Sequence, residues 1–333
     1  MLNNIKTEED KMIGNIILII IGFALLIKGA DLLVVGASKI AKKFNIPEII
    51  IGLTVVAIGT SLPELVVSTT SALTGHSDIA LGNVVGSNLA NLFLILGVCS
   101  IIRPLKFKKE TIFFENPFVI VITGLLFFLC LNIGGIQITR LEGGILLLLC
   151  IIFILYNIIM AKRGTKPEDG EEIQQDPEEP SSIDMYKSIL FIVLGIIGLK
   201  YGGDFVVDNA VVIAQAIGIS EKLISLTIVA ISTSLPELIT SVTATIKGET
   251  DLAIGNIVGS QTFNILLILG TSSLLSPIGY APSYNKDMVL LLAGSIVFAL
   301  FPFIGEKNKM TRENGILFTI VYVVYMINII MAN

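Results

Sequence analysis

The sequence predicts an all-α polytopic membrane protein, with ten transmembrane helices arranged as two inverted five-helix repeats. Three observations lead there. The chain is 53% hydrophobic and 15% charged, with a mean hydropathy of +0.87, whereas an average soluble domain carries about 25% charged residues. Many apolar runs reach the ~20 residues that cross a ~30 Å hydrocarbon core. Finally, residues 52–97 recur as residues 225–270 at a constant offset of 173 with no gap, and more than half of the aligned positions are identical.

Taken in order, the apolar runs place spans near 13–35, 47–73, 79–101, 116–133, 142–160, 186–214, 222–246, 252–275, 287–304 and 314–331. The stretch before the first run is polar and mixed in charge. That run is long and lacks a small-residue cleavage site, so it is expected to stay as a span. Residues 161–185 divide the spans five and five. Within them, Pro167–Pro180 carries seven carboxylates and three prolines, the composition of a solvated linker. Two units follow: residues 1–160, with the repeated segment 52–97, and residues 186–333, with 225–270. An odd number of spans per unit makes the second enter the membrane from the opposite side, which inverts it.

The basic residues set the orientation. Fifteen Lys and Arg residues fall in one set of loops and five in the other. The basic set, which includes the acidic linker, is expected in the cytoplasm of a cell-membrane protein, with both termini outside. The pI near 5.1 gives no sign of a nucleic-acid partner. Cys99, Cys130 and Cys150 lie in or near apolar spans without paired spacing, and read as small buried hydrophobes.

The repeated segments carry the chemistry. Gly59-Thr60-Ser61-Leu62-Pro63-Glu64 matches Ser232-Thr233-Ser234-Leu235-Pro236-Glu237. Gly82-Asn83 and Gly86-Ser87 match Gly255-Asn256 and Gly259-Ser260, and Asn91 matches Asn264. A glutamate inside an apolar span is costly and marks a functional site. Proline has no N–H for the carbonyl four residues back, so both helices are expected to bend or open just before Pro63 and Pro236. Such backbone is tolerated at membrane depth where it lines a cavity or binds an ion. Ala57, Thr60, Ser61 and Glu64 fall on one helical face, and Ala230, Thr233, Ser234 and Glu237 repeat it. Ser87 and Asn91 are four apart, as are Ser260 and Asn264. These faces can converge on one polar centre whose donors are all oxygen, which suits hard cations such as calcium. No His or Cys cluster suits zinc or copper, and lone His76 is expected to be solvated.

At these residues the chain resembles the calcium/cation antiporter superfamily, specifically the prokaryotic sodium/calcium exchangers. The resemblance covers both repeats and the ten-span plan. It implies exchange of sodium for calcium by alternating access, normally extruding calcium, with both ions as cargo and no cofactor. It implies that Glu64 and Glu237 bind both ions and that the Thr60 and Thr233 carbonyls bind calcium. The Ala57 and Ala230 carbonyls, with the Ser61, Ser234, Ser87 and Ser260 hydroxyls, would surround sodium. Asn91 and Asn264 match the polar position after the Gly-Ser pair. Two departures stand out. Ser232 replaces the usual glycine and would alter how that helix hinges. Asn264 stands where potassium-dependent exchangers carry aspartate, which argues against potassium co-transport.

Proton/calcium exchange, or exchange of another divalent cation, on the same fold is the nearest alternative, and a cation channel is the alternative of a different class. Broken inverted repeats around one closed centre favour alternating access over a pore. No nucleophile–base pair suggests an enzyme, and the expected partners are the two ions and the lipid bilayer, with the chain working as a monomer. Asp78 and Asp251 are expected to cap helices. Asp31 and Asp204 also match, with Lys28 placed to pair with Asp31, and suggest a structural or gating role near the cytoplasmic mouth.

Overall fold

The structure is a computed structural model, and it describes residues 2–130, 137–163, 182–218, 232–304 and 308–332. The helices are α1 (Leu2–Lys43), α2 (Glu48–Thr60), α3 (Leu62–Leu73), α4 (Ser77–Ile102), α5 (Thr111–Cys130), α6 (Arg140–Arg163), α7 (Ser182–Ala216), α8 (Leu235–Lys247), α9 (Thr250–Leu275), α10 (Pro282–Phe303) and α11 (Arg312–Ala332). Eight of them are long and apolar enough to cross a bilayer alone, and the bent pair α2–α3 makes a ninth span. α8 is the described part of the tenth. The acidic linker, Ala230 and the first part of the seventh span lie outside the described residues.

Burial sorts the helices into two layers. In α9, 94% of the apolar stretch is buried, against 17% in α11. α4 and α9 therefore form the centre, while α1, α6, α7 and α11 turn rows of Ile, Leu and Val outward. An apolar exterior of this extent belongs against lipid.

Two small antiparallel ribbons display the internal symmetry. β1 (Leu105–Lys106) pairs with β4 (Lys309–Met310), and β2 (Gln137–Ile138) pairs with β3 (Ile278–Gly279). At the offset of 173, β3 is the counterpart of β1, and β4 that of β2. Each ribbon thus takes one strand from each repeat, and the repeats are stitched together at two places.

α1 and α7 form the most extensive helix pair. They meet on a glycine seam with seven-residue spacing, Gly22, Gly29 and Gly36 facing Gly202, Gly195 and Ser188. A Cβ on Gly29 would sit 2.8 Å from the Gly195 carbonyl, and one on Gly22 would sit 2.8 Å from that of Gly202. The backbones touch directly, as small residues allow in membranes. The crossing is antiparallel, so Asp31 and Asp204 lie at different depths along the pair. The expectation that both sit near one mouth is therefore incorrect. Asp31 pairs with Lys247 of α8 rather than with Lys28, and Asp204 pairs with Lys200 of its own helix.

Asp78 and Asp251 also differ from expectation. The capping positions belong to His76 and Glu249, and neither makes a side-chain cap. Both aspartates lie one residue inside the first turn, where a negative charge still favours the helix dipole. Asp251 takes an ion pair from Lys108. His76 is exposed and contacts the Thr74 hydroxyl at 3.3 Å.

Candidate functional site

The helix break stands where the prolines require it. Pro63 offers no N–H to the Gly59 carbonyl, and α2 and α3 meet at Ser61 with a bend of 49°. Ser61 leaves helical geometry at φ −85°, ψ 7°, and Ser234 does the same at φ −85°, ψ 3°. The two break residues thus share one conformation, with Gly59 before the first and Ser232 before the second. Across each break one turn continues through backbone hydrogen bonds, Leu65 N–H to the Ser61 carbonyl and Leu238 N–H to that of Ser234.

The inner helices α4 and α9 supply the facing wall. Each contains a widened π-helical turn at the matched place, Ala90–Ile95 and Asn264–Leu269. Such turns interrupt the regular carbonyl ladder and occur often at functional sites. α9 crosses α2 where glycine permits it: a Cβ on Gly255 would collide with the Ile49 carbonyl, and one on Gly52 would lie 2.6 Å from that of Leu252.

These elements bring Ser61 and Glu237, and Ser87 and Thr233, together from opposite repeats. Thr60, Ser61, Glu64, Ser87, Asn91, Thr233, Ser234, Glu237, Ser260 and Asn264 are all buried, as is Ala57. Ser61 donates to Glu237 Oε1 at 3.0 Å, and the hydroxyls of Ser87 and Thr233 meet at 3.4 Å. Glu64 and Glu237 lie within electrostatic reach of each other. The Ala57 carbonyl accepts from Ser61 N–H at 3.0 Å and lies 3.3 Å from the Thr60 hydroxyl oxygen. The Ala230 position falls outside the described residues.

Many of these groups have no hydrogen-bond partner among the described residues: both oxygens of Glu64, Oε2 of Glu237, the hydroxyls of Ser234 and Ser260, Oδ1 of Asn264, and both amide atoms of Asn91. Buried polar groups are normally paired. A set of unpaired oxygens on matched faces is what a dehydrated cation requires.

Sequence reasoning missed a crossed brace behind the site. The Thr60 hydroxyl donates to Asn256 Oδ1 at 3.2 Å, and Asn256 Nδ2 donates to Ser241 Oγ at 2.9 Å. In mirror fashion the Thr233 hydroxyl donates to Asn83 Oδ1 at 3.1 Å, and Asn83 Nδ2 donates to Ser68 Oγ at 2.9 Å. Each asparagine holds the threonine of the opposite repeat to the helix that follows the break in its own. The signal was present, because Ser68 and Ser241 are identical matched positions, but only the folded chain shows which partner each amide takes.

Beside the first break lies a cavity of about 220 Å³ between the broken helices and α7. Its lining includes Gly59, Thr60, Pro63, Pro236, Ile196 and Lys200.

The family described as "Sodium/calcium exchanger protein" matches the chain twice, over residues 14–159 and 187–331. Inner membrane protein YrbG of Escherichia coli (strain K12) is 36% identical, over 93% of this chain and 94% of that protein. Sodium/calcium exchanger MaX1 of Methanosarcina acetivorans is 30% identical, over 94% of this chain and 97% of that protein. A solved structure of the sodium-calcium exchanger NCX_Mj, soaked with sodium and calcium, aligns with a TM-score of 0.77 and 31% identity. That alignment covers 93% of this chain and 96% of the other.

Proposed function

The chain belongs to the sodium/calcium exchanger protein family, a family of membrane cation antiporters, and from that premise we propose that it exchanges sodium for calcium by alternating access, normally extruding calcium. The observation that carries this reading is the matched pair of carboxylates, Glu64 and Glu237, each 1% exposed at a proline break and without a basic partner among the described residues.

The charge arithmetic supports exchange at one shared centre. Two buried carboxylates balance one calcium ion or draw in more than one sodium ion, so the two cargoes compete. In this reading Glu64 and Glu237 bind both ions, with the Thr60 and Thr233 carbonyls on calcium. The Ala57 and Ala230 carbonyls and the Ser61, Ser234, Ser87 and Ser260 hydroxyls serve sodium. Asn91 and Asn264 complete the ring of oxygens. Asn264 is neutral where potassium-dependent relatives carry aspartate, so exchange proceeds without potassium.

The two functional units are residues 1–160 and 186–333, joined by the acidic linker, and one chain suffices for transport. The bias of Lys and Arg toward one set of loops supports a cytoplasmic linker with both termini outside.

Sodium-driven uptake of radioactive calcium into proteoliposomes tests the reading, with potassium and proton gradients varied separately. The expected result is uptake that follows the sodium gradient, needs no potassium, and shows more than one sodium competing with each calcium. Uptake that ignores sodium and follows protons would move the protein to the proton-coupled alternative.

A further inference from the structure

The amide of Asn264 poses a problem that a carboxylate would not. A carboxylate presents oxygen to a cation whichever way it is turned. An amide presents oxygen in one orientation and a donor-only –NH₂ group in the other. At a cation site the first orientation attracts and the second repels, so something must choose between them.

A short relay of hydrogen bonds makes that choice. It begins at the backbone carbonyl of Gln261 on α9, which can only accept. Asn88 Nδ2 on α4 donates to it at 3.5 Å. This leaves Asn88 Oδ1 facing Asn264, whose Nδ2 donates to it at 3.0 Å. The Asn264 nitrogen is thereby occupied, and its Oδ1 is left buried without a partner. Because the first acceptor cannot act as a donor, each link fixes the direction of the next. Asn88 and Asn264 are each 1% exposed, so water does not scramble the order.

The matched half of the molecule lacks this relay. The counterpart of Asn264 is Asn91, and the counterpart of Asn88 is Gln261. Both amide atoms of Asn91 are unpartnered among the described residues, so no described residue sets its direction. Two amides at equivalent places therefore differ among the described residues: one is committed as an acceptor and the other is not.

We propose that Asn88 is a positioning residue that turns the Asn264 amide so that its oxygen, not its nitrogen, faces the transported cations. The inference rests on Asn264 being an ion ligand, and adds the device that makes a neutral residue serve at a position where relatives use a carboxylate.

The test uses the full chain in proteoliposomes and reads the sodium concentration that half-saturates calcium exchange. Asn88→Leu removes the acceptor at similar volume, and is expected to raise half-saturating sodium about three- to tenfold. Asn264→Ala should raise it at least as much, and the double substitution should add nothing further. In an Asn264→Asp background, Asn88→Leu should cost less than about twofold, because a carboxylate needs no orienting. Asn88→Ala carries the same expectations and serves where the leucine variant does not insert. Wild-type behaviour of Asn264→Ala would show that Asn264 is no ligand, and the proposal would fall with that reading. A weakened Asn264→Ala beside an unaffected Asn88→Leu, or an Asn88→Leu equally costly in the aspartate background, would overturn the orienting role and leave the ligand intact.

Discussion

Glu64 and Glu237 each place a charge where the effective penalty for an unpaired ion is several kcal/mol. A protein retains such a cost only where something offsets it, and in the proposed reading the attraction of a bound cation does so. Glu64→Gln and Glu237→Gln are expected to lower calcium flux to below about 1% of wild type, since each carboxylate offsets much of the cost of stripping water from a divalent ion. Their melting temperatures should stay the same or rise, because a costly charge is gone. A folded variant that transports at the wild-type rate would remove that glutamate from the site. The crossed brace makes a second residue-level claim. Asn83→Ala and Thr233→Val delete the same hydrogen bond, so their effects on stability in detergent should overlap by about 1 kcal/mol. Asn83→Ala and Thr60→Val, which touch different bonds, should add. Full additivity in both pairs would mean the brace is not formed. These residues were unequally legible. The glutamates stood out because charge in an apolar run is rare, whereas Asn83 and Asn256 were legible only as a matched pair, and Asn88, with Gln261 at its counterpart, not at all.

Among the elements, the proline breaks were readable and the widened turns were not. Proline removes a donor at a known place, so the bend at Ser61 follows from one residue. A π-helical turn has no residue signature of that kind, and those at Ala90–Ile95 and Asn264–Leu269 sit in tightly packed parts of α4 and α9. The glycine seam of α1 and α7 lies between these cases. Its seven-residue spacing is visible in the sequence, but the register that sets Gly29 against Gly195 needs the fold. At the seam backbone meets backbone, with Val206, Ile192, Leu26 and Leu33 packed closely beside the glycines. Gly29→Val would drive a side chain into the Gly195 carbonyl and the Leu199 amide, and overpacking of this kind costs about 1–3 kcal/mol. It is expected to lower the melting temperature and to cut calcium exchange about tenfold or more. Gly14→Ala serves as control on the same helix, since a Cβ there meets nothing within 4 Å. If both variants exchange calcium as wild type does, close approach along this seam plays no part in transport.

For the whole molecule, the ten-helix inverted plan followed from one internal repeat, yet the two ends of the folded chain are not mirror images. At one end α1 is tied to the other helices by charge. Lys247 pairs with Asp31, Lys42 reaches Glu249 at 3.5 Å and Glu48 at 3.8 Å, and the Ser38 hydroxyl donates to Glu48 and Glu249 at 2.7 and 3.2 Å. Their counterparts Asp204, Thr74, Gln215, His76 and Val211 cannot repeat the Lys247–Asp31, Lys42–Glu249 and Ser38–Glu249 contacts. Glu221, the counterpart of Glu48, lies outside the described residues, and Asp204 turns to its own helix. In the proposed alternating-access cycle inverted repeats make the two access states alike in backbone, so a charged clasp that the described residues form on one side and not on the other weights the balance between them. The pairs are partly exposed, and each contributes about 0–1 kcal/mol, enough together to shift a near-even equilibrium without locking it. Lys247→Met with Lys42→Met should therefore raise the fraction open at the clasp end about two- to fivefold. In oriented vesicles this appears as a changed ratio between the half-saturating calcium concentrations measured from the two sides. Exchanging the charges, Asp31→Lys with Lys247→Asp, should return the ratio toward wild type. An unchanged ratio in the methionine variant would show that these pairs hold the helices in place without favouring either state.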